Sequence, residues 1–223
     1  MADPKQVLVT DFDGTITAHD FYLLAVQRLL SPEALTPWND CLAGKIPHFT
    51  ALQRIFRQIR APESVVLELL QAMRPDPHLA DALSALKNAG WHVVVASAGC
   101  QWYICRILDD LGIQLEVHAN PGVYREGGPL EMEPPVNSPF YSPETGVDKA
   151  GIVRFYQKKD ATVAYAGDGY ADLPAALLVP SAYRFARAEL ASLLSQQKQK
   201  FIPFTVWSDV ARHLLSPVAV GLG

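Results

Sequence analysis

Short β-branched runs alternate with helical stretches along most of this chain, and one block breaks the alternation. Val7-Leu8-Val9 opens the pattern and stops at Thr10-Asp11-Phe12-Asp13-Gly14-Thr15. An apolar run that short, closed by turn residues, predicts a buried strand. Through residues 17–76 the apolar residues instead recur at helical spacing: Phe21, Leu24 and Leu29, then Leu52, Ile55, Phe56 and Ile59, then Val65, Val66, Leu69 and Leu70. Ser31-Pro32, Thr36-Pro37 and Ala61-Pro62 stand where N-caps and first-turn prolines belong. Strand and helix then alternate again. Helices are predicted over 78–88, 101–111, 148–157 and 172–178, the first two stopped by Gly90 and Gly112. Strands are predicted over 91–96, 115–118 and 162–166, with weaker signals at 182–185 and 204–206. Residues 120–143, rich in Pro and Gly, predict a hairpin or surface excursion. Such alternation folds as an α/β, doubly wound parallel sheet. The expectation is a core domain of residues 1–16 and 77–223, with an all-helical cap domain, 17–76, inserted after the first strand.

Composition removes several classes. With 223 residues, 49% of them hydrophobic, the chain can bury a core without disulfide staples. Nineteen Lys and Arg against 23 Asp and Glu give a net charge of −4, which argues against nucleic acid or a polybasic membrane surface as partner. The first residues lack an apolar signal core and no uncharged apolar run approaches a membrane span. Cys41, Cys100 and Cys105 form an odd set without a CxxC pair, so reduced thiols are expected. The expected setting is cytoplasmic, as monomer or homodimer.

Ligands of open parallel sheets bind beyond the carboxyl ends of the strands. Three predicted strand ends carry more polar chemistry than a turn requires. The first delivers Asp11 and Asp13, the second Ser97-Ala98-Gly99, and a later one Gly167-Asp168-Gly169-Tyr170-Ala171-Asp172; Lys149 opens the helix before it. Two carboxylates two residues apart can enter one cleft, one attacking phosphorus and the other protonating the leaving oxygen and then activating water. With Asp168 they make an oxygen-rich site suited to Mg²⁺. Ser97 and Gly99 offer a hydroxyl and backbone N–H groups to a phosphate, although a Ser there can also be a plain N-cap. Lys149, in a first helical turn, opposes the helix dipole; a surface Lys tolerates that, and a Lys held to balance phosphate and carboxylate charge explains the placement better. Asp172 can equally cap the helix that follows.

These residues, in this order, resemble the haloacid dehalogenase superfamily of phosphohydrolases, over nearly the whole chain. The resemblance implies an aspartyl-phosphate intermediate on Asp11 and general acid/base work by Asp13. It implies Mg²⁺ held by Asp11, the Asp13 backbone carbonyl and Asp168, with Asp172 in support. Ser97 and Lys149 would hold the transferring phosphoryl group. A helical cap between the first two motifs is similar to the branch containing phosphoserine phosphatase. Within it, Asp-Gly-Thr-Ile-Thr followed by Asp20, and Gly44-Lys45-Ile46 leading to Arg54-Ile55-Phe56, resemble the methionine-salvage phosphatases. The implied partner is a small phosphate ester, with Ser97, Ala98, Gly99, Asp20 and Arg54 as substrate contacts.

The remaining candidates have plainer readings beside these. Arg54, Arg57 and Arg60 lie off the apolar stripe and can form a solvated face. Asp20 can cap the helix that starts at Phe21, and His19 reads as a surface linker residue. The other histidines share no metal spacing and receive no role. Cys100, at a helix start, is placed where a thiol pKa can fall. Trp38 and Phe49 read as cap core. Two non-enzyme readings stand beside the phosphatase: a phospho-accepting receiver-type module, opposed by the second acid Asp13, and a metabolite sensor.

Overall fold

A computed structural model describes residues 3–216. The first strand, β1 (Gln6–Thr10), leads into four helices: α1 (Phe21–Leu29), α2 (Thr36–Leu42), α3 (His48–Phe56) and α4 (Glu63–Ala72). Then come α5 (Leu79–Asn88), β2 (Trp91–Cys100), α6 (Gln101–Asp110) and β3 (Glu116–Asn120). Two small hairpins follow, β4 (Gly122–Tyr124) with β5 (Leu130–Met132), and β6 (Tyr141–Ser142) with β7 (Gly146–Val147). The chain closes with α7 (Lys149–Gln157), β8 (Thr162–Gly167), α8 (Leu173–Ala176), β9 (Arg184–Ala186), α9 (Ala188–Gln196), β10 (Ile202–Pro203) and α10 (Trp207–Leu215).

Six strands form one sheet in the order β10-β9-β8-β1-β2-β3, and every pairing in it is parallel. β1 lies between β2 and β8, with Thr10 level with Val95 and Ala166. This explains its continuous apolar run: a parallel strand flanked on both edges and covered on both faces meets no water. Its side chains alternate faces. Val7 and Val9 join one core layer with Val153, Ile152 and Leu190, while Leu8 joins the other. That second layer continues without a break through Phe12 and Phe21 into Ile55, Phe56 and Leu69 of the inserted helices.

Several boundaries differ from the sequence expectation. β2 runs on to Cys100, with its register against β3 shifting between Ala96 and Cys100. The strand expected at 204–206 lies at Ile202–Pro203, where the chain pairs with Phe185 and Ala186. The expected 172–178 helix is a 3₁₀ turn, Tyr170–Asp172, followed by the short α8. Pro62 occupies the N-cap of α4 rather than its first turn. The Pro- and Gly-rich segment is a pair of hairpins, and β4–β5 packs on the inserted helices rather than standing free. Gln53 Nε2 donates to the Met132 carbonyl at 2.7 Å, and the Tyr124 hydroxyl donates to the Ala61 carbonyl. No described helix is long and apolar enough to cross a membrane.

Candidate active site

Asp11 emerges from β1 with its N–H still bonded to the Ala166 carbonyl at 2.9 Å, so its position is an extension of the sheet ladder. Its carboxylate is buried and lies 2.7 Å from Lys149 Nζ, which is itself 2.6 Å from Asp172 Oδ1. Lys149 opens α7 against the dipole, and Asp148, the N-cap, holds that turn by accepting the Gly151 N–H at 2.8 Å. Two buried carboxylates outweigh the dipole and the cost of burial, and they hold the ammonium firmly charged.

Asp172 occupies the N-cap position of α8 without capping it. One oxygen accepts the N–H groups of Asp168 and Gly169, at 3.0 and 2.9 Å; the other accepts Lys149 and the Tyr165 hydroxyl, both at 2.6 Å. Burial pushes its pKa up, but Lys149 and these donors bring it below the ordinary value. Asp168 accepts the Thr15 hydroxyl at 2.8 Å, and burial with the charge of Asp172 pushes its pKa up to about 7. Gly14 makes this approach possible. Its φ is +68°, and a Cβ there would stand 2.3 Å from Asp168 Oδ2.

Asp13 is held differently from Asp11. Its two oxygens accept the Phe21 N–H at 3.0 Å and the Tyr103 hydroxyl at 2.7 Å. Burial first, and the charge of Asp20 second, raise its pKa to about 7. Asp13 therefore supplies the bond to the start of α1 that Asp20, the N-cap residue, does not make. Asp11 is also raised, by burial more than Lys149 lowers it. Oxygens of Asp11, Asp168 and Asp172 all lie within 4.8 Å of one another, a hard donor set that fits Mg²⁺. The carboxylate of Asp13 is outside that cluster.

Ser97, Ala98 and Gly99 lie within β2, not at a helix cap, since α6 starts only at Gln101. Ser97 Oγ accepts the Gly99 N–H at 3.0 Å, and Asn120 Nδ2 donates to the Ala98 carbonyl at 2.7 Å. These three residues border a cavity of about 250 Å³ together with Asp11, Asp13, Asp20, Lys149, Asp168 and Asp172. Asp20 thus belongs to the site. Arg54 does not: it points to solvent from α3 and takes no part in the cavity wall, because the apolar stripe turns Leu52 and Phe56 inward instead. His19 is exposed as well. Burial pushes the Cys100 thiol up to about 12, which overrides any pull from the helix start. Phe49 is core, but Trp38 lines the cavity with Tyr22, Tyr170 and His48.

His48 has no counterpart among the expected site residues. Its signal was its place one helical turn before Leu52, on the inward stripe of α3.

Residues 8–177 match the family model described as haloacid dehalogenase-like hydrolase. The chain belongs to this family. As a haloacid dehalogenase-like hydrolase it is an enzyme, which sets aside the receiver-module and sensor readings. It is similar, at 24% identity over 93% of its own length and 95% of the relative, to a 2-hydroxy-3-keto-5-methylthiopentenyl-1-phosphate phosphatase of Exiguobacterium sibiricum. At 24% identity over 96% and 95% of the two chains it is similar to a polyol phosphate phosphatase of Saccharomyces cerevisiae. A phosphoserine phosphatase solved as an analogue of its phospho-aspartyl intermediate shares the fold, with a TM-score of 0.69 over 95% of this chain and 99% of that one at 17% identity.

Proposed function

We propose that this hydrolase cleaves phosphate monoesters of small metabolites, with Asp11 as nucleophile and Asp13 as general acid and base. The observation that carries this reading is the contrast between two carboxylates on one turn. Asp11 is ion-paired to Lys149, whereas Asp13 bonds only neutral donors and has a pKa near 7. Burial raises both carboxylates, so their partners make the difference: the ammonium beside Asp11 favours an anion there for attack, and the neutral donors around Asp13 leave its proton free to transfer. An Asp11 oxygen forms a bond to phosphorus while the ester P–O bond breaks, and Asp13 hands its proton to the departing alcohol oxygen. Asp13, now a carboxylate, takes a proton from a water whose oxygen attacks the same phosphorus, releasing phosphate and freeing Asp11. Lys149, the Ser97 hydroxyl and nearby backbone N–H groups hold the phosphoryl oxygens. Asp11 and Asp168, with the Asp13 backbone carbonyl and with Asp172 in support, would hold Mg²⁺, which when bound supplies positive charge against the phosphate oxygens.

The helices of residues 17–76 act as a cap on the core formed by 1–16 and 77–223, keeping bulk water from the reacting centre. Free Cys41, Cys100 and Cys105 suit a reducing cytoplasm. Among the described residues around the cavity, Lys149 is the one Lys or Arg, and Asp11 and Asp172 already engage it. Asp20 and Glu189 add negative charge there. The carboxylate of phosphoserine therefore meets no cation, and an uncharged organic part, such as the hydroxyketone phosphate of methionine salvage, is the favoured substrate. The test is phosphate release with Mg²⁺ across phosphoserine, sugar phosphates, polyol phosphates and the methylthiopentenyl phosphate, with Asp11→Asn alongside. Turnover of the uncharged esters that disappears in Asp11→Asn is the expected result. No turnover of any ester, or turnover that survives Asp11→Asn, overturns the reading.

A further inference from the structure

His48 is 7% exposed, and neither ring nitrogen has a hydrogen-bond partner among the described residues. Its ring is gripped edge-on by two aromatic neighbours: Trp38 at 5.2 Å between centroids and Tyr170 at 5.6 Å. Tyr170 is itself held, with its hydroxyl 3.3 Å from Cys41 Sγ. The backbone is pinned as well, since Glu144 accepts the N–H groups of both His48 and Phe49, at 3.2 and 2.8 Å. An imidazole fixed this firmly, facing a cavity and bonded to nothing, is unusual, because buried polar atoms are almost always partnered.

Burial, and then the charge of Lys149, hold the ring neutral, with a pKa pushed down to about 4. Neutral imidazole carries one N–H and one lone pair. Nδ1 is enclosed without a partner, and a lone pair is cheaper to leave unsatisfied than an N–H. That places the proton on Nε2, the nitrogen a ligand in the cavity can reach.

Resting on the phosphatase reading, we propose that His48 Nε2–H donates a hydrogen bond to a hydroxyl or carbonyl oxygen on the organic part of the substrate. The residue thereby selects phosphate esters that carry such an uncharged polar group over those that lack it. His48 is a specificity residue on the cap side, separate from the groups that hold the phosphoryl. Trp38 and Tyr170 set its direction, and a carboxylate in place of the hydroxyl is disfavoured by Asp20 and Glu189.

The experiment compares glycerol 1-phosphate with n-propyl phosphate, its counterpart without hydroxyls, in wild type, His48→Phe and His48→Gln, with p-nitrophenyl phosphate as the common reference. Wild type should favour glycerol 1-phosphate in kcat/KM by about tenfold, the worth of one well-made neutral hydrogen bond. His48→Phe should bring the ratio to about one, through a higher KM for the hydroxylated ester. His48→Gln, which keeps a donor, should retain part of the preference. An equal ratio in wild type, or a preference unchanged in His48→Phe, overturns the proposal. If His48→Phe does not fold, the imidazole resonances of Asp11→Asn decide: glycerol 1-phosphate should shift those of His48 and n-propyl phosphate should not. A wild type that hydrolyses none of the three esters overturns the phosphatase reading instead.

Discussion

Asp13 and His48 are tuned in opposite directions by the same physical cause. Burial disfavours charge, so the carboxylate is raised to about 7 and the imidazole is lowered to about 4. For Asp13 this means a proton available near neutrality. Asp13→Asn should lower kcat by roughly 10²–10⁴-fold, the usual worth of one general acid/base, while leaving the overall fold intact by circular dichroism. For His48 the consequence is a stability window. Its folded pKa, about 4, lies below the ordinary 6.5, so on acidification the unfolded chain binds this proton first. The His48 contribution is complete above pH 6.5 and is lost as the pH falls toward 4, at most about 1.4 kcal/mol per pH unit. Denaturant titrations of wild type and His48→Phe should therefore diverge in pH dependence between 6.5 and 4 and run parallel above 6.5.

At the scale of elements, the β4–β5 hairpin is a strap. It leaves the core sheet after β3 and reaches the inserted helices through Tyr124, Glu126 and Met132. The Ala61 carbonyl, two residues before α4, accepts the Tyr124 hydroxyl, and Gln53 of α3 donates to the hairpin edge at Met132. Tyr124→Phe removes the hydroxyl but leaves the ring against Trp102, 5.2 Å away, and should cost about 0.5–1.5 kcal/mol. Hydrogen exchange should quicken in α3 and α4 and stay unchanged in β1 and β8. Uniform quickening would mean that the strap stabilises the whole chain rather than the inserted helices.

At the scale of the molecule, the inserted helices and the sheet share apolar packing. Phe21 stacks on Tyr103 of α6 at 4.6 Å and meets Phe56 of α3 at 5.4 Å. Ile55 and Leu8, from the inserted helices and the central strand, belong to the same core. Ile55→Ala should cost about 2–5 kcal/mol by leaving a cavity. The loss should appear in one cooperative transition, at the same denaturant midpoint by circular dichroism and by tryptophan fluorescence, since Trp38 reports the helices and Trp207 the sheet side. Two separated transitions would show that the inserted helices are an independent folding unit.

What the sequence determined by itself was everything with a local signal. The buried β1, the glycine stops at Gly90 and Gly112, and the cluster of Asp11, Asp168, Asp172 and Lys149 were legible because strand ends and turns are set by neighbouring residues. The parallel sheet followed from alternation alone. Tertiary structure decided which side chains meet across long separations. Arg54 and His48 lie on the same helix, and the packing of α3 against α1, α2 and the β4–β5 hairpin sends one to solvent and the other into the cavity. The two-residue β10 and the strap β4–β5 owe their places to partners far away in sequence, a contact that local propensity does not encode. The Tyr103 and Phe21 bonds that distinguish Asp13 from Asp11 join residues 90 and 8 positions apart, so the different surroundings of the two carboxylates existed only once the chain had folded.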